Sequence, residues 1–490
     1  MHAMTKIDVG LRSERGPILL AVMVATGVVA VDATIISTAV TSIVGDIGGF
    51  SQFPWLFSVY LLTQSVTVPV YAKLADTIGR KRVILFGLSV FLLGSILCAL
   101  AWDMPSLIAF RALQGVGAGA ILPITITIVG DIYTIEERAR TQGYIASVWA
   151  VAAVAGPALG GVFAMWDFWR GIFLINIPLC ALAFWLLARD YHESLQRTRH
   201  RIDYAGAALL TASLTLLLLG VLEGGNTWAW ISPTSFGVFG AGLVLLVAFV
   251  LVERRAAEPV LPLWVLGRPL LRATNIVGLA VGAALIGLTA FVPTYLVVGL
   301  DVSPLVAGLA LATLTIGWPI AASLSGRLYL RIGFRSTAIL GAALVVLGTA
   351  ALAALGPYPS IWTVGIVSFV IGLGFGFAAV PTLVAAQSSV GWEERGVVTG
   401  ANMFARSIGQ SVGAAVLGAV ANAVIAGAGG DETDPGTIVA ASTAVFVGAA
   451  VVAVLLLAAT LTMPRERRAT ATASAAPEPA PVTGPVPEVG

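Results

Sequence analysis

The stretch AKLADTIGR, residues 72–80, returns as GRLYLRIGF, residues 326–334, which begins 254 positions later. Two further matches lie at an offset of 257. The glycines of GVGAG, residues 115–119, return in GLGFG, residues 372–376, and EER at residues 136–138 recurs at the same distance. Three matches at almost one offset indicate an internal repeat. The chain therefore contains two related halves.

Both halves consist of long apolar blocks. Of the 490 residues, 58% are hydrophobic and 11% are charged, whereas about 25% of the residues of a soluble domain are charged. Blocks of about 18 or more apolar residues can cross a lipid bilayer as helices. The composition therefore excludes a water-soluble protein and predicts fourteen transmembrane helices. The predicted spans lie near residues 17–40, 55–72, 83–101, 105–130, 143–164, 169–187, 205–222, 235–252, 274–298, 305–324, 337–355, 361–385, 401–425 and 438–461.

The offset of the repeat predicts how these spans are arranged. It is longer than six spans with their loops require, and the two spans within residues 205–252 account for the excess. We therefore predict an all-α integral membrane fold with two six-helix bundles, related as parallel repeats, and an inserted helix pair. The predicted divisions are a cytoplasmic N-terminal tail (1–16), an N-terminal six-helix bundle (17–187), the inserted transmembrane helix pair with its flanking cytoplasmic loops (188–272), a C-terminal six-helix bundle (273–462) and a disordered cytoplasmic tail (463–490).

The basic residues test the even number of spans independently. If both termini are cytoplasmic, all but three of the 27 Lys and Arg residues fall on the inner side, and none falls in an outer loop. That distribution follows the positive-inside rule. The three exceptions, Arg111, Arg170 and Arg406, lie inside or at the edge of spans. We therefore predict a multi-pass protein of the bacterial cytoplasmic (inner) membrane with both termini cytoplasmic.

Five stretches resemble signatures of the major facilitator superfamily and, within it, of the fourteen-span drug:proton antiporters. Residues 72–81 resemble Gly-x-Leu-Ala-Asp-x-x-Gly-Arg-Lys, with Ala in place of the first Gly, and RALQGVG at 111–117 resembles the second signature. GPALGG at 156–161 is similar to the antiporter signature of span five. Residues 31–39 in span one and 169–178 in span six are similar to two further family patterns.

This resemblance covers nearly the whole chain and implies the major facilitator fold. It also implies a proton-coupled antiporter that exports small amphipathic, cationic or neutral drugs and toxic compounds by alternating access. No cofactor is expected, because the proton gradient drives transport. The expected partners are a small-molecule substrate, protons and membrane lipids, without nucleic acid, and a monomer is expected. A dedicated exporter of an endogenous metabolite, such as an antibiotic, a siderophore or a lipid, remains the alternative.

Asp32 is the only carboxylate deep inside an apolar span. A charge at membrane depth costs at least about 2.5–3.5 kcal/mol on insertion scales, and burial favours the neutral acid. Asp32 can therefore exchange a proton or bind a cationic substrate, and Arg111 is its natural counter-ion. We predict that the two residues couple transport to protons. A permanent ion pair or helix cap at Asp32, and an Arg111 that only braces the bundle, are the structural alternatives.

The loop after span two carries charges that the resemblance assigns to a cytoplasmic gate. Gly79 permits a tight turn, and the charges can contact neighbouring helix ends. In the second half Leu330 replaces the acid of the loop, so the predicted gate is asymmetric. Anchoring by the positive-inside rule is the alternative explanation of these charges. The predicted gate residues are Asp76, Gly79, Arg80, Lys81, Glu136 and Arg138.

Further small or polar residues inside the spans form two groups. Proline removes a helix hydrogen bond and glycines allow close helix contact. The residues predicted to kink or pack helices are Gly115, Gly117, Gly156, Pro157, Gly160 and Gly161. Uncharged polar and aromatic residues can line a substrate cavity, although most such polar residues bond neighbouring helices instead. The cavity candidates are Tyr60, Gln64, Gln114, Trp149, Asn275 and Asn402.

The sequence places no cluster of metal ligands or nucleophiles at membrane depth. The two cysteines, Cys98 and Cys180, lie in separate apolar blocks, and the three histidines lie in polar segments. That distribution argues against a metal site, a disulfide framework and a membrane enzyme. A gated channel would need a continuous polar lining repeated around an axis, whereas only isolated polar residues occur in the spans.

Overall fold

The computed structural model describes residues 10–133, 135–193, 203–225, 227–256, 259–261, 263–355, 360–391, 394–429 and 434–464. Most of the predicted C-terminal tail lies outside these ranges, as do the first nine residues. Within them the protein is all-α, without a β-strand. A 3-10 turn (Phe50–Gln52) precedes the second helix, and a π-helix (Tyr295–Gly299) continues the eleventh. In chain order the α-helices are α1 (Gly16–Ile47), α2 (Pro54–Ile78), α3 (Arg80–Ala99), α4 (Met104–Ile132), α5 (Ile135–Met165), α6 (Gly171–Leu174), α7 (Asn176–Asp190), α8 (Tyr204–Glu223), α9 (Pro233–Glu253), α10 (Trp264–Gly267), α11 (Pro269–Thr294), α12 (Pro304–Ile332), α13 (Phe334–Ala354), α14 (Ile361–Ser388), α15 (Arg395–Gly427) and α16 (Pro435–Leu461).

Thirteen helical segments of the described part are long and apolar enough to cross a membrane. They correspond to thirteen of the predicted spans, with α6 and α7 forming one span together. The remaining prediction, residues 55–72, lies within α2, which is 25 residues long. The predicted all-α membrane fold is confirmed, and the limits of its predicted divisions stay predictions.

The internal repeat reappears in how the helices pack. In the first half α1 packs on α5, and α4 packs on both α2 and α3. In the second half α11 packs on α15, and α14 packs on both α12 and α13. The helix that closes each half, α7 or α16, contacts the first and third helices of its own half. The two halves therefore share one helix arrangement, as the repeat in the sequence predicts.

The repeated glycines lie where helices approach each other most closely. A Cβ at Gly117 of α4 would lie 2.7 Å from the carbonyl oxygen of Gly87 in α3. A Cβ at Gly374 of α14 would lie 2.7 Å from the carbonyl oxygen of Gly341 in α13. Real side chains do not tolerate such distances, so the equivalent helix pairs of the two halves need glycine at equivalent positions.

The two halves meet towards one end of the helices, which we call the sealed end. Ser58 and Ser411 each donate a hydroxyl hydrogen bond to the other's carbonyl oxygen, at 3.1 and 2.8 Å, and Asn422 donates to the Ser51 carbonyl at 2.7 Å. These are the hydrogen bonds between the halves among the described residues. Gly161 of α5 also lies against the backbone of α12 there.

The opposite end, which we call the basic end, carries ion pairs that stay within one half. In the first half Arg15 pairs with Glu137 at 2.8 Å. In the second half Arg268 pairs with Glu394 at 3.3 Å. The described polar contacts therefore hold the halves together at the sealed end and leave them separate at the basic end.

The inserted helix pair packs at the boundary between the halves. Helix α8 contacts α2 of the first half and α15 of the second, whereas α9 contacts chiefly α8. Trp55 donates its indole hydrogen to Glu223 of α8 at 3.0 Å. Within the pair, the Ser213 hydroxyl donates to the carbonyl of Gly242 at 2.8 Å. The pair is therefore attached to both halves through α8.

Candidate functional site

The structure brings Asp32 of α1 and Arg111 of α4 into a buried ion pair. Arg111 Nη1 lies 2.8 Å from Asp32 Oδ2, and both residues are 1% exposed. Arg111 also donates through Nε to the carbonyl of Leu56 at 3.3 Å, and its guanidinium lies 4.0 Å from the ring centre of Tyr60. Two opposite charges at membrane depth thus compensate each other inside the first half.

Three uncharged side chains complete the hydrogen bonding of this pair. Gln114 accepts a hydrogen bond from Arg111 at 2.6 Å and donates to Asp32 Oδ1 at 2.8 Å. Asn176 of α7 also donates to Asp32 Oδ1, at 3.2 Å. Ser95 of α3 accepts hydrogen bonds from both amides, at 2.7 and 3.0 Å. We call these five residues the polar network, and it joins α1, α3, α4 and α7.

The polar network stabilises the ionised form of Asp32. Its carboxylate accepts hydrogen bonds from one cation and two amides, and such bonds favour the charged form of an acid. Two polar atoms beside the carboxylate, Asn176 Oδ1 and the Tyr60 hydroxyl, are buried without a hydrogen-bond partner. Protonation of Asp32 would remove one charge of a buried pair, so the network is sensitive to a single proton.

Ser95 and Asn176 are functional candidates that the sequence analysis did not identify. Ser95 is a small polar residue in an apolar helix, without a distinguishing pattern around it. Asn176 belongs to the stretch 169–178 that resembles a family pattern, and this was the available signal.

The predicted gate loop is held by acids other than those predicted. Gly79 has φ 106°, a conformation that favours glycine. The Arg80 side chain pairs with Asp131 at 3.0 Å and Glu193 at 3.5 Å. The carboxylate of Glu193 also accepts hydrogen bonds from the backbone amides of Arg80 and Lys81 at the start of α3, where the helix dipole favours a negative charge.

The remaining gate residues differ in what the structure describes. Lys81 Nζ donates to the carbonyl of Ala188 at 2.7 Å. The side chains of Asp76, Glu136 and Arg138 lie outside the described part of the structure. All described contacts of Arg80 and Lys81 stay within the first half, and a gating role stays a prediction.

The predicted packing residues lie at helix contacts. Gly156 and Gly160 face α1, where the Thr38 hydroxyl donates to the carbonyl of Pro157 at 3.1 Å. Helix α5 continues through Pro157 to Met165. Gly115 faces α2 and Gly117 faces α3. Gly161 has a different neighbour, because a Cβ there would lie 2.7 Å from Leu305 Cα in the other half.

The predicted cavity residues do not form one group. Tyr60 and Gln114 are buried beside the ion pair. Asn402 donates to the carbonyl of Thr274 at 3.0 Å. Asn275 and Gln64 are each 8% exposed, and the Asn275 amide oxygen has no hydrogen-bond partner.

Trp149, on α5, is 40% exposed. For all six residues, contact with a substrate stays a prediction.

Two halves of equivalent helices with a buried charge pair define a multi-pass membrane transporter, and known proteins support this class. The family model for the Major Facilitator Superfamily matches residues 22–414. Multidrug resistance protein 3 of Bacillus subtilis is 34% identical over 393 residues, which cover 80% of this chain and 76% of that protein. Multidrug transporter protein MdtP of the same species is 34% identical over 414 residues, covering 84% and 76%. The chain belongs to the Major Facilitator Superfamily and is a transporter, not an enzyme.

Solved structures show the same fold. A bacterial homologue of the human lysosomal transporter Spinster, in an inward-facing and unoccupied conformation, has a TM-score of 0.67 at 16% identity, covering 92% of this chain and 98% of that one. The nucleoside transporter NupG has a TM-score of 0.63 at 13% identity, covering 93% and 100%. The predicted family and fold are thereby confirmed.

Proposed function

We propose that this protein is a proton-coupled antiporter that exports small amphipathic compounds, cationic or neutral drugs among them, across the cytoplasmic membrane. The names of the two Bacillus subtilis relatives support drugs as substrates. No cofactor is needed, because the proton gradient supplies the energy. We further propose that the protein works as a monomer surrounded by lipid.

The observation that carries the proposal is the buried ion pair of Asp32 with Arg111. A proton on Asp32 neutralises the acid and removes its attraction for the guanidinium. Arg111 is then left as an uncompensated buried charge, which is unfavourable until the surrounding groups rearrange. Because the polar network joins four helices, protonation of one carboxylate changes the relative stability of different helix arrangements.

Alternating access follows from the contacts between the halves. The polar contacts at the sealed end would have to break, and new ones form at the basic end, for the halves to rock. The positive-inside rule orients the basic end towards the cytoplasm. In this orientation the conformation with a sealed outer end receives substrate from the cytoplasm.

Dye transport in inside-out vesicles tests the proposal. Ethidium uptake driven by a pH gradient is measured for the wild type, for Asp32→Asn and for Asp46→Asn. Asp46 is the matched control, since it pairs with Arg170 at the sealed end, outside the polar network. We expect the wild type and Asp46→Asn to accumulate ethidium, and Asp32→Asn to lose accumulation.

Two outcomes would contradict parts of the proposal. If Asp32→Asn accumulates ethidium as well as the wild type, Asp32 is structural and protons are coupled elsewhere. If the folded wild type does not move the dye, general drug export is wrong, and a dedicated exporter of an endogenous metabolite replaces it.

A further inference from the structure

Arg406 differs from the two other arginines that the sequence places in or beside spans. Arg111 pairs with Asp32, and Arg170 pairs with Asp46 at 2.6 Å. Arg406 has no acid and no hydrogen-bond partner for its side chain among the described residues. Its described neighbour is the ring of Trp318, whose centre lies 6.0 Å from the guanidinium carbon, at the limit of a cation–π contact.

The second half cannot supply a counter-ion to Arg406 at membrane depth. Every acid between residues 273 and 462 lies outside the bounds of the described helices. These acids are Asp301, Glu393, Glu394, Asp431, Glu432 and Asp434. A charged residue inside the membrane without a partner is costly, and such residues usually mark substrate or ion pathways.

The contact with Trp318 places the guanidinium between the two halves. Arg406 lies on α15, which packs against α2 of the first half, and Trp318 lies on α12, which packs against α5. A side chain that extends from one of these helices to the other therefore lies on the surface that faces the first half. Arg406 is partly buried, so part of its surface is open to a ligand.

Arg406 also lies on the basic side of the seal. It precedes Ser411 by five residues, about 7.5 Å along the helix at 1.5 Å per residue. Trp318 follows Gly308, which lies against the carbonyl of Pro157, by ten residues or about 15 Å. Both residues are thus separated from the sealed end by one or more helical turns, on the side where the described polar contacts leave the halves apart.

We propose that Arg406 and Trp318 form a subsite for the anionic group of an amphipathic substrate, with a carboxylate bound by Arg406 and an aromatic or apolar body against Trp318. Arginine binds carboxylates through paired, charge-assisted hydrogen bonds, and tryptophan offers a large apolar face. Asp32 is already held by Arg111, so the uncompensated charge in this conformation is positive. This inference rests on the proposed export function and adds anionic and zwitterionic amphiphiles to its substrates.

A matched pair of fluorescent probes tests the subsite without requiring transport. Dansylglycine carries a carboxylate, and dansylglycinamide is neutral but otherwise the same. Binding of each to the full-length protein in phosphatidylcholine nanodiscs is followed by energy transfer from tryptophan to the dansyl group. We expect the wild type to bind the carboxylate about tenfold more tightly, as expected for a hydrogen bond to a charged group.

The variants assign that preference to one residue. We expect Arg406→Gln to bind the two probes equally and Arg406→Lys, which keeps the charge, to retain part of the preference. Arg170→Gln, which removes a paired arginine at the sealed end, should leave the preference unchanged. Equal binding of both probes by the wild type, or an unchanged preference in Arg406→Gln, would overturn the subsite. The wild-type comparison and Arg406→Lys decide the question if Arg406→Gln does not fold.

Failure of the subsite and failure of the proposed function are distinguishable. Probe binding needs no proton gradient, whereas ethidium accumulation does. Accumulation of ethidium without a carboxylate preference rejects the subsite alone. A carboxylate preference that depends on Arg406, in a protein that does not accumulate ethidium, supports the subsite and rejects proton-driven export of that cation.

Discussion

At the scale of single residues, Asp32 and Arg111 depend on each other. In Arg111→Met the Asp32 carboxylate is buried without its counter-ion, and breaking a buried pair costs about 3–5 kcal/mol. We expect a clearly lower melting temperature for this variant, whereas Asp32→Asn combined with Arg111→Met should recover most of the loss. Thermal unfolding of the wild type, both single variants and the double variant in one detergent measures this coupling. Losses that simply add would show that the two residues act independently.

The ion pair was accessible from the sequence, whereas most of its partners were not. Two opposite charges in apolar spans have strong reason to meet, because each is costly alone. Uncharged residues such as Ser95 carry a smaller cost, so sequence alone does not decide which of them face the pair. Arg406 was noted for its position but received no role, because its lack of a counter-ion depends on where α12 and α15 place their side chains.

At the scale of helices, Gly161 limits how closely α5 and α12 can approach. A Cβ there would lie 2.7 Å from Leu305 Cα and 2.9 Å from its nitrogen. We expect Gly161→Val to separate the two helices at the sealed end. Distances between spin labels on the exposed Met165 and Val306, measured by pulsed electron paramagnetic resonance, should shift to longer values.

Gly45 provides the control for this helix contact. It lies in α1 towards the same end, and a Cβ there would meet nothing within 4 Å. Gly45→Val should leave the label distances unchanged. An unchanged distance in Gly161→Val as well would mean that the helices accommodate a side chain, and that Gly161 does not set their separation.

At the scale of the whole molecule, the repeat and the distribution of charge predicted the fold well. The equivalent packing of α4 and α14 follows from glycines that recur at one offset, because both helices meet their neighbours through them. The place where the halves meet was not predicted. It depends on uncharged contacts such as that of Ser58 with Ser411, and serines within spans carry no pattern that identifies a partner 353 residues away.

Those two serines allow a test of movement between the halves. Each hydroxyl donates to the other's carbonyl, so the backbones are close, and the native Cys98 and Cys180 are buried. We expect a disulfide formed by Ser58→Cys with Ser411→Cys to hold the sealed end closed and stop ethidium accumulation until a reductant is added. Thr313→Cys with Gly365→Cys links two helices of one half, since a Cβ at Gly365 would lie 3.8 Å from Thr313 Cγ2, and should leave accumulation intact. Full transport by a protein whose Ser58–Ser411 link is shown to have formed would mean that the sealed end does not open during the cycle, and alternating access between these halves would be wrong.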